Sequence, residues 1–397
     1  PTYWDGGGNN DNWNNPQNWS TDVVPNRCTD VVIPELGSFP IISTKDAVCR
    51  NLTIQAKGKL TINPNCLLTI GGKVSIHSSS VIESGSLIAH GFINKGFEAA
   101  VVSYFRQMRS DDWHYFSSPV GNLRINDFMN RNTGEIEGIW SWNEPMGDWE
   151  NLTNHSSLFE SGKGYNLGYN NGDGKYEFTG SIVRSAVATA TSPFTITYYS
   201  EGDRPEYDRR WVEGRTEYGA GGWNLLGNPF TSALKVAGPN GFLDMNDGSG
   251  SYTTNKFDPN YVAVWIYDGD YGDYGRYYYI AKEISFTDPM DDDLPENLPF
   301  NGNNNIQAGQ GFFVLAHQND VKFNFEGSTM QTHDTEVPLK SSGIAWPGIR
   351  LKVRYGNKVN STLIVYNDGM SAGLDPGYDI GLFSSGPEVK IYTTLVE

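Results

Sequence analysis

Apolar residues alternate with Thr and Ser through residues 47–96. The units Asn51-Leu-Thr-Ile54, Lys59-Leu-Thr-Ile62 and Leu67-Leu-Thr-Ile70 recur at equal intervals, and Lys73-Val-Ser-Ile76 follows. Alternation with period two predicts strands with one buried face. Gly58, Pro64, Gly71, Gly72, Gly85 and Gly91 stand between the units and predict turns. Short strands at even spacing predict the stacked coils of a β-solenoid, with two or three coils expected; a small meander sandwich is the competing reading. Ahead of them lies Trp13-Asn-Asn-Pro-Gln-Asn-Trp19, preceded by Trp4. A terminal coil has no neighbour, so these three rings are expected to cap it. The competing role is a platform on which sugar rings stack.

From residue 99 the strands lengthen and the pattern repeats. Trp113-His-Tyr-Phe-Ser-Ser-Pro-Val-Gly-Asn122 matches Trp223-Asn-Leu-Leu-Gly-Asn-Pro-Phe-Thr-Ser232. Ile139-Trp-Ser-Trp-Asn143 matches Val264-Trp-Ile-Tyr-Asp268, and Glu160-Ser-Gly-Lys-Gly-Tyr165 matches Gln307-Ala-Gly-Gln-Gly-Phe312. Tyr176-Glu-Phe-Thr-Gly180 matches Phe323-Asn-Phe-Glu-Gly327. The blocks keep their order and their separation only grows, which predicts one β-domain present twice, with longer loops in the second copy. The glycine pairs Gly162/Gly164 and Gly309/Gly311 precede aromatic strands and read as bulges or tight corners, not phosphate loops, because no helix follows them. Near Val337 a further unit begins, with alternating strands at Ile349–Tyr355 and Ser361–Tyr366 around Gly356-Asn357.

The expected fold is therefore all-β: a cap and short β-solenoid over 1–98, β-sandwich-like copies over 99–220 and 221–334, and the start of another β domain over 335–397. That last unit is short for a secure core, so the chain is expected to be a fragment of a longer one.

Composition narrows the function. The 397 residues carry a formal charge of −17, which repels phosphate backbones and argues against nucleic-acid partners. Aromatics make up 13% and charged residues only 19%, the profile of a folded extracellular β-protein rather than a disordered one. No stretch of about 18 apolar residues occurs, so membrane insertion by a helix is not expected. Cys28, Cys49 and Cys66 allow either buried thiols or a single bridge, most naturally through Cys28.

The motifs Trp4, Trp13–Trp19, Val24-Pro25, Val31-Val-Ile-Pro34 and Val48-Cys-Arg-Asn-Leu-Thr-Ile54 resemble the opening of large surface proteins of Bacteroidota. Gly222–Phe230, Gly309-Gln-Gly-Phe-Phe313 and Leu374-Asp-Pro-Gly-Tyr-Asp379 resemble later segments of the same proteins. The resemblance implies an adhesin-like, cell-surface cargo of the type IX secretion system, with the secretion machinery as a partner during export. It implies no catalytic residue.

Enzyme signatures are sparse. None of the 6 histidines forms His-Glu-x-x-His, and no Gly-x-Ser-x-Gly elbow occurs. Glu144, Asp148 and Glu150 cluster in one aromatic hairpin and Asp268, Asp270 and Asp273 in its duplicate. Three carboxylates in a short turn are suited to calcium, a cation that takes several oxygens, so Asp268, Asp270 and Asp273 are the candidate metal ligands; a solvated Asp-Gly turn is the plain alternative. Asp244, Asn246, Asp247 and Asp291–Asp293 offer further oxygens. Trp142, Trp149, Tyr271 and Tyr274 are the candidate glycan contacts, set against ordinary core packing. The expected role is a non-enzymatic secreted structural or adhesive surface protein. The alternatives are a polysaccharide-active enzyme or its carbohydrate-binding region, and a passive spacer.

Overall fold

A computed structural model describes residues 1–81, 83–96, 98–108, 114–133, 136–143, 148–169, 173–184, 195–196, 223–248, 255–257, 262–268, 276–281, 305–316, 321–331, 333, 348–355 and 358–365. Strand β1 (Thr2–Tyr3) leads into a solenoid of about 4 turns. Each coil lays one strand on each of three faces. The first coil supplies β2 (Asp30–Ile33), β3 (Ile41–Ile42) and β4 (Ala47–Cys49). The second supplies β5 (Asn51–Ile54), β6 (Lys59–Ile62) and β7 (Leu67–Ile70), and the third β8 (Val74–His77), β9 (Ser86–Ala89) and β10 (Phe92–Lys95). Every strand pairs in parallel with its counterpart one coil on. Each repeated Leu-Thr-Ile unit is thus one side of a coil, not a whole coil. The alternation sends Leu52, Ile54, Leu60, Ile62, Leu68 and Ile70 inward, all at most 1% exposed, and aligned columns such as Ile33, Ile54 and Ile76 stack along the axis. The turns exceed the two or three expected because β2–β4 belong to a segment whose alternation is broken by loops.

The cap closes the first coil. Trp4, Trp13 and Trp19 are buried and meet edge-to-face, with centroids 5.2 Å apart for Trp4–Trp19 and 4.8 Å for Trp13–Trp19. Trp19 Nε1 donates to Trp13 O at 2.8 Å and Trp4 Nε1 to Ser38 O at 3.0 Å. With their rings buried and two indole N–H groups bonded to backbone, they form a structural lid, not a sugar platform.

After β11 (Glu98–Ala99), strand β12 (Val101–Gln107) continues the solenoid. The first copy then contributes β13 (His114–Phe116), helix α1 (Ile125–Arg131), β14 (Ile136–Asn143), β15 (Asp148–Asn151), β16 (Tyr165–Tyr169) and β17 (Lys175–Ser181). Strand β12 pairs in parallel with β8 and antiparallel with β17. One sheet, β1-β2-β5-β8-β12-β17, therefore runs from the cap into the first copy. A single hydrophobic core follows it, from Trp4 to Phe178.

Beyond β18 (Thr195–Ile196), the second copy holds β19 (Trp223–Gly227), β20 (Ala233–Lys235), α2 (Phe242–Asn246), β21 (Ala263–Asp268), β22 (Arg276–Ala281), β23 (Asn305–Ile306), β24 (Gly311–Leu315), β25 (Val321–Lys322) and β26 (Met330–Gln331). Its sheet order β19-β24-β21-β22 repeats the order β13-β16-β14-β15. A buried asparagine ends the short helix in both copies. Asn132 donates to Phe128 O and Glu177 O and accepts from Glu177 N–H; Asn246 does the same with Phe242 O, Asn324 O and Asn324 N–H. Each side chain satisfies the backbone N–H and C=O of one residue on a neighbouring segment, Glu177 of β17 in the first copy and Asn324, just after β25, in the second. The last described element is the antiparallel pair β27 (Gly348–Tyr355) and β28 (Lys358–Val365), in register from Gly348/Val365 to Tyr355/Lys358.

Candidate binding surfaces

The two copies meet in a reciprocal seam. Phe116 bridges Gln310, and Lys163 bridges Leu226. Ser117 N–H donates to Gly309 O and Gly227 N–H to Gly162 O, both at 2.9 Å. These are the same contact made twice with the copies exchanged, and the two glycine pairs make it. Gly162 and Gly309 take φ of +85° and +66°. A Cβ on Gly164 would lie 2.5 Å from Leu226 O, and one on Gly311 2.8 Å from Tyr115 C. Close approach of backbone is what these glycines permit.

Trp142 and Trp149 flank this seam. Both are half-buried and pack against a cluster containing Trp223, Trp265 and Phe313. Trp142 meets Phe313 at 5.4 Å and 89°, and its Nε1 donates to Trp223 O at 2.6 Å. Trp149 packs against Trp142, Tyr115 and Phe313. Tyr271, Tyr274, Asp270 and Asp273 lie outside the described residues. Asp268 ends β21 opposite Arg276, and its side chain also lies outside them. Among the described residues no group of three or more His, Cys, Asp or Glu side chains is placed to hold a metal ion.

Sequence reasoning missed the outer face of the six-stranded sheet. Tyr3, Val32, Thr53, Ser75, Ser103 and Thr179 stand in one register row across it. At about 4.8 Å per strand, the row spans roughly 24 Å. Ser103 and Thr179 hydroxyls bond at 2.8 Å, and Glu177 accepts from both. In the next row His77 and Phe105 stack at 4.7 Å with planes 2° apart; burial holds the His77 pKa below its ordinary value. Two shallow grooves lie on this face. The larger, about 700 Å³, is bordered by Asp30, Asn51, Thr53, Lys73, Ser75 and Lys95. The smaller, about 340 Å³, is bordered by His77, Phe105, Gln107, Arg131, Lys175 and Glu177. Arg50 grips Asp30 with two nitrogens. That bond, helped by Asn51, holds the Asp30 carboxyl down at about 2. The lining is hydroxyl, amide and charge, the charge including the Arg131–Glu177 pair and the lysines Lys73 and Lys95. The row could have been read from the Thr and Ser positions of the alternation, had the three-sided coil been known.

A buried polar knot ties the last coil to both copies. Ser86 Oγ lies 2.7 Å from His333 Nδ1, the contact of a nucleophile with its base. Ala308 N–H, however, donates to His333 Nε2 at 3.0 Å. The hydrogen-bond network therefore puts the ring proton on Nδ1, which donates to Ser86 Oγ. His333 N–H donates to the same oxygen at 2.9 Å. This histidine cannot take a proton from Ser86, so the pair is a tie and not a catalytic dyad. Beside it Arg106, 2% exposed, donates to Val81 O and Ser84 Oγ. Burial, and then Arg106, push the His333 pKa down to about 3. Cys28, Cys49 and Cys66 are all free thiols; burial pushes Cys49 up to about 12, which makes it an inert packing residue.

No described helix is long and apolar enough to cross a membrane. A family model described as a domain of unknown function (DUF8693) matches residues 3–397. No curated protein and no solved structure matches the chain.

Proposed function

Because the chain belongs to this DUF8693 family, which brings no activity with it, we propose a function from the surfaces: a non-enzymatic, secreted structural or adhesive protein of the cell surface. The observation that carries this reading is the single sheet that runs from the cap through the solenoid into the first copy. It makes a stiff platform with a long polar outer face. Rigid platforms bind with little ordering cost. The occupant that fits the face is an uncharged polysaccharide. The hydroxyls of the row and the amides beside it can exchange hydrogen bonds with sugar hydroxyls, the grooves are open to solvent, and the overall charge of −17 disfavours polyanions. Export by the type IX route rests on the sequence resemblance and is part of the same proposal.

The test is binding of the full chain to arrays of neutral and of anionic polysaccharides. Each array is run with and without chelator, because the sequence gathers Asp268, Asp270 and Asp273 in one turn. Selective retention of neutral polymers supports the reading. Retention of none, or turnover of any polymer into shorter products, overturns it.

A further inference from the structure

Among the described residues, the second copy contains a contact not found in the first. Asn246 is fully buried and clamps Asn324 as Asn132 clamps Glu177. At Asn246, however, a lysine joins the clamp: Lys256 Nζ donates to Asn246 Oδ1 at 2.9 Å. Lys256 N–H also donates to Asn246 O at 2.9 Å, and Asp247 bridges Asn255, so the backbone holds the two residues side by side. Lys256 is only 9% exposed, and Phe242, Phe257 and Phe323 around the site are 0% exposed. Among the described residues no lysine reaches the amide oxygen of Asn132, where Glu177 N–H is the donor.

We propose that Lys256 and Asn246 join covalently, the Lys256 amine attacking the Asn246 side-chain amide carbon to give an isopeptide bond. The new bond is Nζ–Cγ and the broken one is Cγ–Nδ2. The amine loses one proton, Nδ2 gains one and leaves as ammonia, and nothing is oxidised or reduced. Three features of the site serve this chemistry. Burial lowers the Lys256 pKa to about 8, so roughly a tenth of the amine is neutral and nucleophilic at pH 7. The N–H of Asn324 already donates to Oδ1 at 2.8 Å, where it would stabilise the oxyanion of the tetrahedral intermediate. Glu326 is close enough for its charge to act on the amine and is the group assigned to carry the proton from Nζ to Nδ2. The inference stands independently of the adhesive reading.

Intact-mass measurement of the full chain, followed by peptide mapping, tests it. The expected result is a mass lower than that of the sequence by one ammonia, with one digestion product joining the Asn246 and Lys256 segments. A succinimide at an Asn-Gly step loses the same ammonia, so the joined peptide and a Lys256→Arg chain decide between them. Lys256→Arg keeps the charge and should have the full mass expected for its sequence. Wild-type chain that keeps the full sequence mass after prolonged incubation at pH 9, where the amine is neutral, overturns the proposal. So does a loss of ammonia that persists in Lys256→Arg. A Glu326→Gln chain that closes the bond at the wild-type rate overturns the assignment of the proton carrier.

Discussion

Burial holds the His333 imidazole neutral to about pH 3, while the unfolded chain protonates near its ordinary value of 6.5. The sign follows from the depressed pKa. Above about pH 6.5 neither state binds the proton, and the full contribution of the tie is present. As pH falls from 6.5 towards 3, only the unfolded state takes it up and stability drains away. The shift is worth roughly 4–5 kcal/mol at its limit. Denaturation midpoints should therefore fall steeply between pH 6.5 and 4, and His333→Gln should flatten the profile over that range. His77 and His90 are also held low by burial, so the difference between wild type and H333Q isolates the tie; parallel curves would remove His333 from the acid response. Another residue-scale case is the lid. Trp19 is 1% exposed and touches both other rings, and Trp19→Ala should cost about 3–5 kcal/mol in a urea titration.

Elements meet through backbone in this protein as much as through side chains. At the seam, Gly164→Ala would press a methyl group into Leu226 O and the Leu225 side chain, and Gly311→Ala would press one into the Tyr115–Phe116 backbone. Each change should cost about 1–3 kcal/mol. Because both open the same seam, the double variant should cost less than the sum of the singles; strict additivity, measured by urea unfolding, would mean that the contacts are not coupled. The alternation of the Leu-Thr-Ile units made the solenoid legible in the sequence, since a period of two with regular turns has few other solutions. The glycine pairs were legible only as places where the chain bends. What fills the space beside Gly164 is Leu225 and Leu226, distant in sequence, and local pattern carries no information about such a partner. The same limit applies to Trp142 and Trp149. Alternation marks them as one-sided, but the second copy supplies the other side, so rings that could be read either as glycan contacts or as core packing are half-buried against Phe313.

Across the whole molecule, the outer sheet face and the seam make opposite demands on substitution, and this separates the two places where a polysaccharide could bind. Ser103 stands between Ser75 and Thr179 in the outer row, and among the described residues its hydroxyl bonds to Thr179 and Glu177. Ser103→Arg should leave the unfolding free energy within about 0.5 kcal/mol of wild type. It should also weaken retention of a neutral polymer by roughly tenfold or more, which is about 1.4 kcal/mol, because a long cation replaces a hydroxyl in the row of Thr and Ser side chains on that face. Trp142→Ala should do the reverse. It removes the bond to Trp223 O and the packing on Phe313, so stability should drop by about 3 kcal/mol while binding by the folded chain is unchanged. If Trp142→Ala abolishes binding at a temperature where the chain is still folded, and Ser103→Arg does not, the polymer uses the aromatic seam and the platform face is only a wall of the solenoid.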